Sequence, residues 1–136
     1  MFLIDTVTLS ELRRRKRDPM VVKWFERQRT TDLFLSVISI GEIERGIARQ
    51  RRTDPGFAAA LAAWLDRLLT LYGERIVPFD LRAARRWGAL SAILGNDSAD
   101  LMIAATALEH GLTVVTRNAS DFEPTGVGVI DPFRRE

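Results

Sequence analysis

Short runs of apolar residues alternate along the chain with longer stretches that have helical periodicity. The clearest runs are Phe2 to Ile4, Leu33 to Ile38 and Thr113 to Val115, with weaker candidates at Ile76-Val77 and Val127 to Ile130. Apolar runs of this length without polar alternation are typical of strands that are buried on both faces of a sheet. The pattern therefore predicts up to five short, buried strands.

Helical patterns fill the segments between these runs. They are predicted over residues 8–17, from Pro19 onward, over 39–50, from Pro55 to about residue 71, after a cap at Asp80, and over 98–109. Pro19 and Pro55 each follow an Asp, and proline is favoured at the first position of a helix. The segment 98–109 is apolar on nearly every side, which indicates a central helix.

The alternation of strands with helices predicts an α/β fold with a parallel sheet and helices on both faces. No linker or repeat interrupts the 136 residues, so we expect one domain spanning residues 1–136. In sheets of this kind, ligands bind beyond the carboxyl ends of the strands. Residues that follow the strands are therefore the first candidates for a functional site.

The composition excludes several kinds of chemistry. The chain has no cysteine and one histidine, so disulfides, thiolate metal sites, Cys-His catalysis and a two-histidine nuclease are not available. The histidine, His110, precedes Gly111 at the end of a helical run, where we expect it to meet the last carbonyls of the helix. Carboxylates remain, and carboxylates without His or Cys favour hard cations.

Membrane association is not expected. No apolar run approaches the roughly 18 residues that a membrane span requires, and the first five residues lack the basic segment of a signal peptide. The absence of cysteine suits the cytoplasm, which is the location we expect.

Four acids are predicted to meet at one edge of the sheet. Asp5 ends the first strand, Glu42 lies in the first turn of the helix after the second, Asp100 lies in the first turn of the central helix, and Asp121 follows Thr113 to Val115. Neighbouring carboxylates repel one another unless a cation intervenes. Mg²⁺ or Mn²⁺ would resolve the conflict and leave positions for a phosphate and a water. The predicted chemistry is metal-assisted hydrolysis of a phosphodiester.

Each acid also has a possible structural explanation. Ser39 to Glu42 matches a capping box, Asp100 is favoured by the helix dipole, and Asp121 fits a turn. Asp5 is harder to explain in this way, because an unpartnered carboxylate at the end of a buried strand costs several kcal/mol.

Arginine supplies nearly all of the positive charge. Of the 20 cationic residues only Lys16 and Lys23 are lysines, and the arginines cluster at 13–17, 49–52, 82–86 and Arg134-Arg135. Arginine forks match phosphate oxygens and stack on unpaired bases. Solvated helix faces explain any single cluster equally well, but basic flanks beside an acidic centre suit a polyanion.

Ordered motifs in the chain resemble those of PIN-domain ribonucleases. They are Leu3 to Thr6, Ser36 to Gly46, Asp100 to Ala107, and Val114 to Asn118 with Asp121-Phe122. The resemblance is greatest to the VapC toxins of bacterial toxin–antitoxin modules, including the FitB-like members, and runs to about residue 133. It implies a three-layer α/β/α sandwich and an endoribonuclease that depends on Mg²⁺ or Mn²⁺. It also implies inhibition by a cognate antitoxin, and a homodimer.

The resemblance implies roles for individual residues as well. The catalytic and metal-binding set would be Asp5, Glu42, Asp100 and Asp121, with Thr6 supporting the first Asp and Thr116 as a polar orienting neighbour. Val7-Thr8 departs from the Asn-Val that is common in the family. Asp97 is an additional acid close to Asp100 and is an alternative third ligand.

Three other classes of protein place acids at strand ends. Haloacid-dehalogenase-like phosphatases need a second Asp two positions after the first, where this chain has Val7. Response-regulator receivers need a lysine near the end of the last strand, and both lysines lie early in this chain. The remaining alternative is a catalytically inactive PIN-like module that binds RNA or a protein.

Overall fold

This computed structural model describes residues 1–134, which contain five strands and seven α-helices. The strands are β1 (Phe2–Ile4), β2 (Leu33–Ser36), β3 (Ile76–Val77), β4 (Thr113–Val115) and β5 (Val129–Ile130). The helices are α1 (Thr6–Glu11), α2 (Pro19–Glu26), α3 (Val37–Thr53), α4 (Pro55–Tyr72), α5 (Leu81–Leu94), α6 (Ala99–His110) and α7 (Ala119–Phe122). Arg135, part of the last predicted basic cluster, lies outside the described residues.

The sheet is parallel throughout, in the order β3-β2-β1-β4-β5. Successive side chains of the central strand β1 point to opposite faces. Leu3 packs in a core cluster with residues of α6 and α7, whereas Ile4 packs in a second cluster with residues of α3 and α4. Helices therefore cover both faces of the sheet, and the predicted three-layer α/β/α sandwich with a central parallel sheet is confirmed.

Two predicted boundaries are wrong because side chains cap the helices earlier than the apolar pattern indicates. The second strand ends at Ser36 and not at Ile38, since the Ser36 hydroxyl accepts a hydrogen bond of 3.0 Å from the backbone N–H of Ile38 and α3 begins at Val37. Helix α1 begins at Thr6 and not at residue 8. A side-chain oxygen at the position before a helix satisfies a backbone N–H group of its first turn.

Helix α1 also ends earlier than predicted, at Glu11 instead of residue 17. The Glu11 carboxylate accepts hydrogen bonds from the Arg14 guanidinium at 2.9 Å and from the backbone N–H of Asp18 at 2.8 Å. These contacts hold the basic segment 13–17 as a loop that leads back into α2. Helix α2 begins at Pro19 as predicted, with Asp18 as its cap.

The carboxyl edge of the sheet gathers the residues that follow the strands. Asp5 comes directly after β1, Thr116 after β4 and Asp131 after β5, while α3 leaves directly from β2. Topology therefore brings residues that are far apart in sequence to one rim of the molecule. None of the helices in residues 1–134 combines the length and the hydropathy that a bilayer span requires.

Candidate active site

Asp5 is a buried carboxylate that caps a helix. Its side chain is only 2% exposed, and one oxygen accepts a hydrogen bond of 2.9 Å from the backbone N–H of Thr8. Burial raises the pKa of Asp5, while the Thr116 hydroxyl and the Thr8 backbone N–H offset part of this effect by stabilising the charged form. The partner that a buried acid requires is therefore present in the first turn of α1.

Asp100 is the acid whose pKa the other three predicted acids raise. It lies in the first turn of α6, two residues after the Ser98 cap. Burial and, to a lesser extent, the negative charges of Asp5, Glu42 and Asp121 together raise its pKa to about 6. Each of the other three predicted acids thus lies close enough to Asp100 for its charge to act there. We call these four residues the carboxylate site.

Glu42 is held by a hydroxyl from another element. The Thr6 hydroxyl lies 2.6 Å from a Glu42 carboxylate oxygen and 2.8 Å from the Ser39 hydroxyl. Since Thr6 carries one hydroxyl proton, it can donate to the carboxylate while accepting from Ser39. Thr6 was expected to support the first Asp, and the structure places it against Glu42 instead.

The capping-box interpretation of Glu42 is wrong. Helix α3 begins at Val37, so Ser39 lies inside the helix, fully buried, and Ser36 is the cap. Glu42 consequently lies in the second turn and not in the first. The Glu42 side chain contacts Thr6 rather than the backbone of its own helix, so capping does not explain why an acid stands at this position.

Asp121 is the fourth member of the carboxylate site, and one further acid, Asp131, flanks the site. Asp121 lies in the single turn of α7, with its backbone N–H bonded to Asn118 at 3.0 Å, and its charge acts on Asp100. Asp131 was not predicted, yet its negative charge raises the pKa of Asp5. Asp131 directly follows β5, just as Asp5 directly follows β1. The rule that an acid after a buried strand is a candidate site residue would therefore have identified Asp131 too.

Thr116 links this rim to the loop that follows β4. Its hydroxyl accepts a hydrogen bond of 2.9 Å from the backbone N–H of Asn118 and lowers the pKa of Asp5. Thr116 is fully buried, so its orientation is set by packing. The predicted orienting neighbour therefore lies beside Asp5.

Asp97 and His110 lie apart from this arrangement. Asp97 is exposed in the segment before α6 and is not among the charges that act on Asp100. His110 is ten residues beyond Asp100 on the same helix, about 15 Å along its axis. Its ring nitrogen lies 3.3 Å from a carboxylate oxygen of Asp80. Pairing with Asp80 therefore replaces the predicted contact with the helix carbonyls.

The side chains of the carboxylate site have the chemistry to bind a hard divalent cation, but their spacing in the structure does not form a complete coordination site. Every charged member of the carboxylate site offers oxygen, the ligand type that Mg²⁺ and Mn²⁺ take. Among residues 1–134, however, no group of three or more His, Cys, Asp or Glu side chains is spaced to hold a metal ion as it stands. The unrelieved repulsion at Asp100 is what a bound cation would remove.

A family model described as the PIN domain matches residues 2–125 of the chain. The chain belongs to the PIN domain family. The resemblance based on the ordered motifs is thereby confirmed, and the matched range includes the whole carboxylate site.

Individual relatives and a solved structure extend this match over nearly the whole of this PIN domain. VapC ribonuclease Y4jK of Sinorhizobium fredii is 35% identical, with 98% of each sequence covered. Toxin FitB of Neisseria gonorrhoeae is 32% identical, covering 98% of this chain and 99% of FitB. The crystal structure of FitAcB from Neisseria gonorrhoeae has a TM-score of 0.88 and 32% identity, covering 99% of this chain and 100% of that one. The predicted likeness to VapC and FitB-like proteins is confirmed.

Proposed function

We propose that this PIN domain is a metal-dependent endoribonuclease and the toxin of a toxin–antitoxin pair. The observation that carries the proposal is the convergence of Asp5, Glu42 and Asp121 on Asp100, since the charge of each acts there. An acidic centre alone repels the phosphates of RNA, so it needs cations to take up this substrate. Relatives named ribonuclease and toxin support the reaction and the biological role.

The residues of the carboxylate site would hold Mg²⁺ or Mn²⁺ through their oxygens. When bound, such an ion supplies positive charge for a phosphate and lowers the pKa of a water. The chain itself orients the acids: the Thr6 hydroxyl fixes one oxygen of Glu42, and the Thr116 hydroxyl faces Asp5. Groups that hold acidic ligands in one orientation are commonly needed for full metal affinity.

The proposal also covers the partners of the protein. A cognate antitoxin is expected as the inhibitor, supported by the similarity to a protein named Toxin FitB. A homodimer and action in the cytoplasm follow from the family resemblance and from the lack of cysteine. Sedimentation of the purified protein, alone and with its antitoxin, tests the first two expectations.

Cleavage of RNA with and without chelator tests the proposed reaction. We expect EDTA to abolish cleavage by the purified protein and added Mn²⁺ or Mg²⁺ to restore it. Asp100→Asn should remove cleavage because it deletes a charge at nearly constant volume, whereas the matched change Asp97→Asn should leave cleavage unchanged. Cleavage that persists in EDTA, or full activity of Asp100→Asn, would reject the proposal.

Expression in cells distinguishes this nuclease from an inactive PIN-like binding module. A nuclease toxin arrests growth, and Asp100→Asn relieves the arrest. A binding module is tolerated in both forms and keeps its RNA affinity after the substitution.

A further inference from the structure

A basic groove lies between the loop after α1 and the carboxyl-terminal segment of the described chain. It has a volume of about 460 Å³, and Arg14, Lys16, Arg17, Arg117 and Phe133 line it. We call it the Arg117 groove. Its volume lies within the range of pockets that hold a small organic molecule, so it has room for a group the size of a nucleotide.

The groove adjoins the carboxylate site through three connections. Arg117 directly follows Thr116, whose hydroxyl faces Asp5. Phe133 donates its backbone N–H to the Asp131 carboxylate at 2.9 Å, and the charge of Asp131 acts on Asp5. The third connection is α1, which Asp5 caps and whose six residues span about 9 Å. A chain bound at the acids can therefore continue into the groove.

The acids inside the groove are already used within the protein. Glu11 is 6% exposed and accepts from Arg14 and from the backbone N–H of Asp18. Asp18 in turn caps α2 by accepting from the backbone N–H of Met20 at 2.8 Å. Burial works against the charged form of Glu11, but these donors hold its pKa below the ordinary value. Glu11 therefore stays charged and fixes the groove wall.

The remaining charges in the groove are positive and exposed. Within residues 1–134, Lys16, Arg17 and Arg117 form no direct salt bridge, although the charge of Arg117 helps to lower the pKa of Glu11. One Arg17 nitrogen donates to the carbonyl of Leu12 at 2.9 Å, which orders the loop and leaves the charge in place. A set of exposed cations outside salt bridges suits a ligand with repeated negative charges.

An aromatic ring adds a second mode of recognition. The guanidinium carbon of Arg117 lies 4.6 Å from the centroid of the Phe133 ring, within the range of a cation–π contact. Phe133 is half-buried, so part of its ring faces solvent. Proteins that bind single strands combine a basic groove for the backbone with aromatic and arginine planes on which unpaired bases stack.

We propose that the Arg117 groove binds the nucleotide next to the scissile bond of single-stranded RNA. Arg117 and Phe133 stack on its base, and Lys16 and Arg17 contact its phosphates. This inference rests on the proposed ribonuclease function. It adds to that function a binding site for the substrate that is distinct from the acids.

Single-turnover cleavage of a short unpaired RNA, measured against protein concentration, tests the groove. Phe133→Ala should raise the concentration for half-maximal rate roughly 5- to 150-fold, and Arg117→Ala, which removes the second stacking plane, should raise it as well. The maximal rate should change little, since neither side chain belongs to the carboxylate site. Arg85→Ala, an exposed arginine lining another surface, is the matched control and should behave as wild type.

Each outcome of this experiment decides the proposal. Wild-type behaviour of both groove variants, or an equal loss in Arg85→Ala, overturns it. Normal cleavage combined with weaker antitoxin binding assigns the groove to a protein and also overturns it. If Phe133→Ala fails to fold, Phe133→Leu and Arg117→Gln carry the same test. If the wild type does not cleave RNA, fluorescence anisotropy of labelled unpaired RNA with these variants tests the groove independently of the proposed function.

Discussion

Replacing Asp100 with Asn should stabilise the metal-free protein while it abolishes cleavage. Burial, together with the charges of Asp5, Glu42 and Asp121, raises the pKa of Asp100 from 3.8 to about 6. This difference corresponds to about 3 kcal/mol against the charged form at pH 8. Because the side chain is partly exposed, solvent screening reduces the figure to about 1–2 kcal/mol.

One effect opposes this stabilisation. Asp100 stands in the first turn of α6, where a negative charge interacts favourably with the helix dipole by about 0.3–1 kcal/mol. Removing the charge forfeits this interaction. Since the burial and repulsion effect is larger, we expect Asp100→Asn to raise the free energy of unfolding at pH 8 by about 1 kcal/mol.

The raised pKa of Asp100 determines how the stability difference between Asp100→Asn and the wild type changes with pH. Between its unfolded pKa of 3.8 and its folded pKa of about 6, Asp100 holds more of its proton in the folded state than in the unfolded state. The contribution of Asp100 to stability therefore falls as the pH rises through this interval. The advantage of Asn should be present at pH 8 and mostly lost below pH 3.8, where Asp100 is protonated in the folded state and mostly protonated in the unfolded state.

Urea unfolding in EDTA, at pH 8 and at pH 3.5, measures the effect. Asp97→Asn is the matched control because Asp97 is exposed and does not act on Asp100, and we expect this variant to change stability little at either pH. A decrease in stability for Asp100→Asn at pH 8, or the same difference at both pH values, would refute the electrostatic reasoning.

Three pairs of substitutions test the packing, the backbone and the support of the site. Leu65→Ala, at a position 1% exposed, should lower the free energy of unfolding by about 2–5 kcal/mol. Leu71→Ala, at a position 65% exposed, should change it by less than about 0.5 kcal/mol. Comparable losses for both variants in urea unfolding would contradict the assigned core. Gly111→Ala should cost about 1–2 kcal/mol because its φ is +65°, and Gly46→Ala, in open space on α3, should gain up to about 1 kcal/mol. The opposite order in thermal unfolding would reject this difference. Thr6→Val should slow RNA cleavage about 10- to 100-fold and Thr6→Ser should preserve it; equal rates would show that the hydroxyl contact with Glu42 is dispensable.

The strands and the layer order could be predicted because both depend on local apolar pattern. Phe2 to Ile4 has no polar alternation, and the structure buries Leu3 and Ile4 in clusters on opposite faces of the sheet. The boundary between β2 and α3 could not be predicted in the same way. Val37 and Ile38 suit a strand or a helix equally, and the Ser36 side chain decides the matter through one hydrogen bond.

The position of the acids was partly predictable, whereas their contacts were not. Asp5 stands at the end of a buried strand, which is visible in the sequence. The contact between Thr6 and Glu42 joins residues 36 positions apart and exists only once α1 and α3 pack together. Asp131 was missed because the last apolar run, Val127 to Ile130, is weak, although the residue after it follows the same positional rule as Asp5.

Calorimetric titration of the chelator-treated protein with Mn²⁺ tests the central claim most directly, that the converging carboxylates hold a divalent cation. The account predicts saturable binding to the wild type and to Asp97→Asn, and affinity at least about tenfold weaker for Asp100→Asn, which loses a charged ligand. A wild type that binds no Mn²⁺, or an Asp100→Asn variant that binds it as tightly as the wild type, would contradict the account.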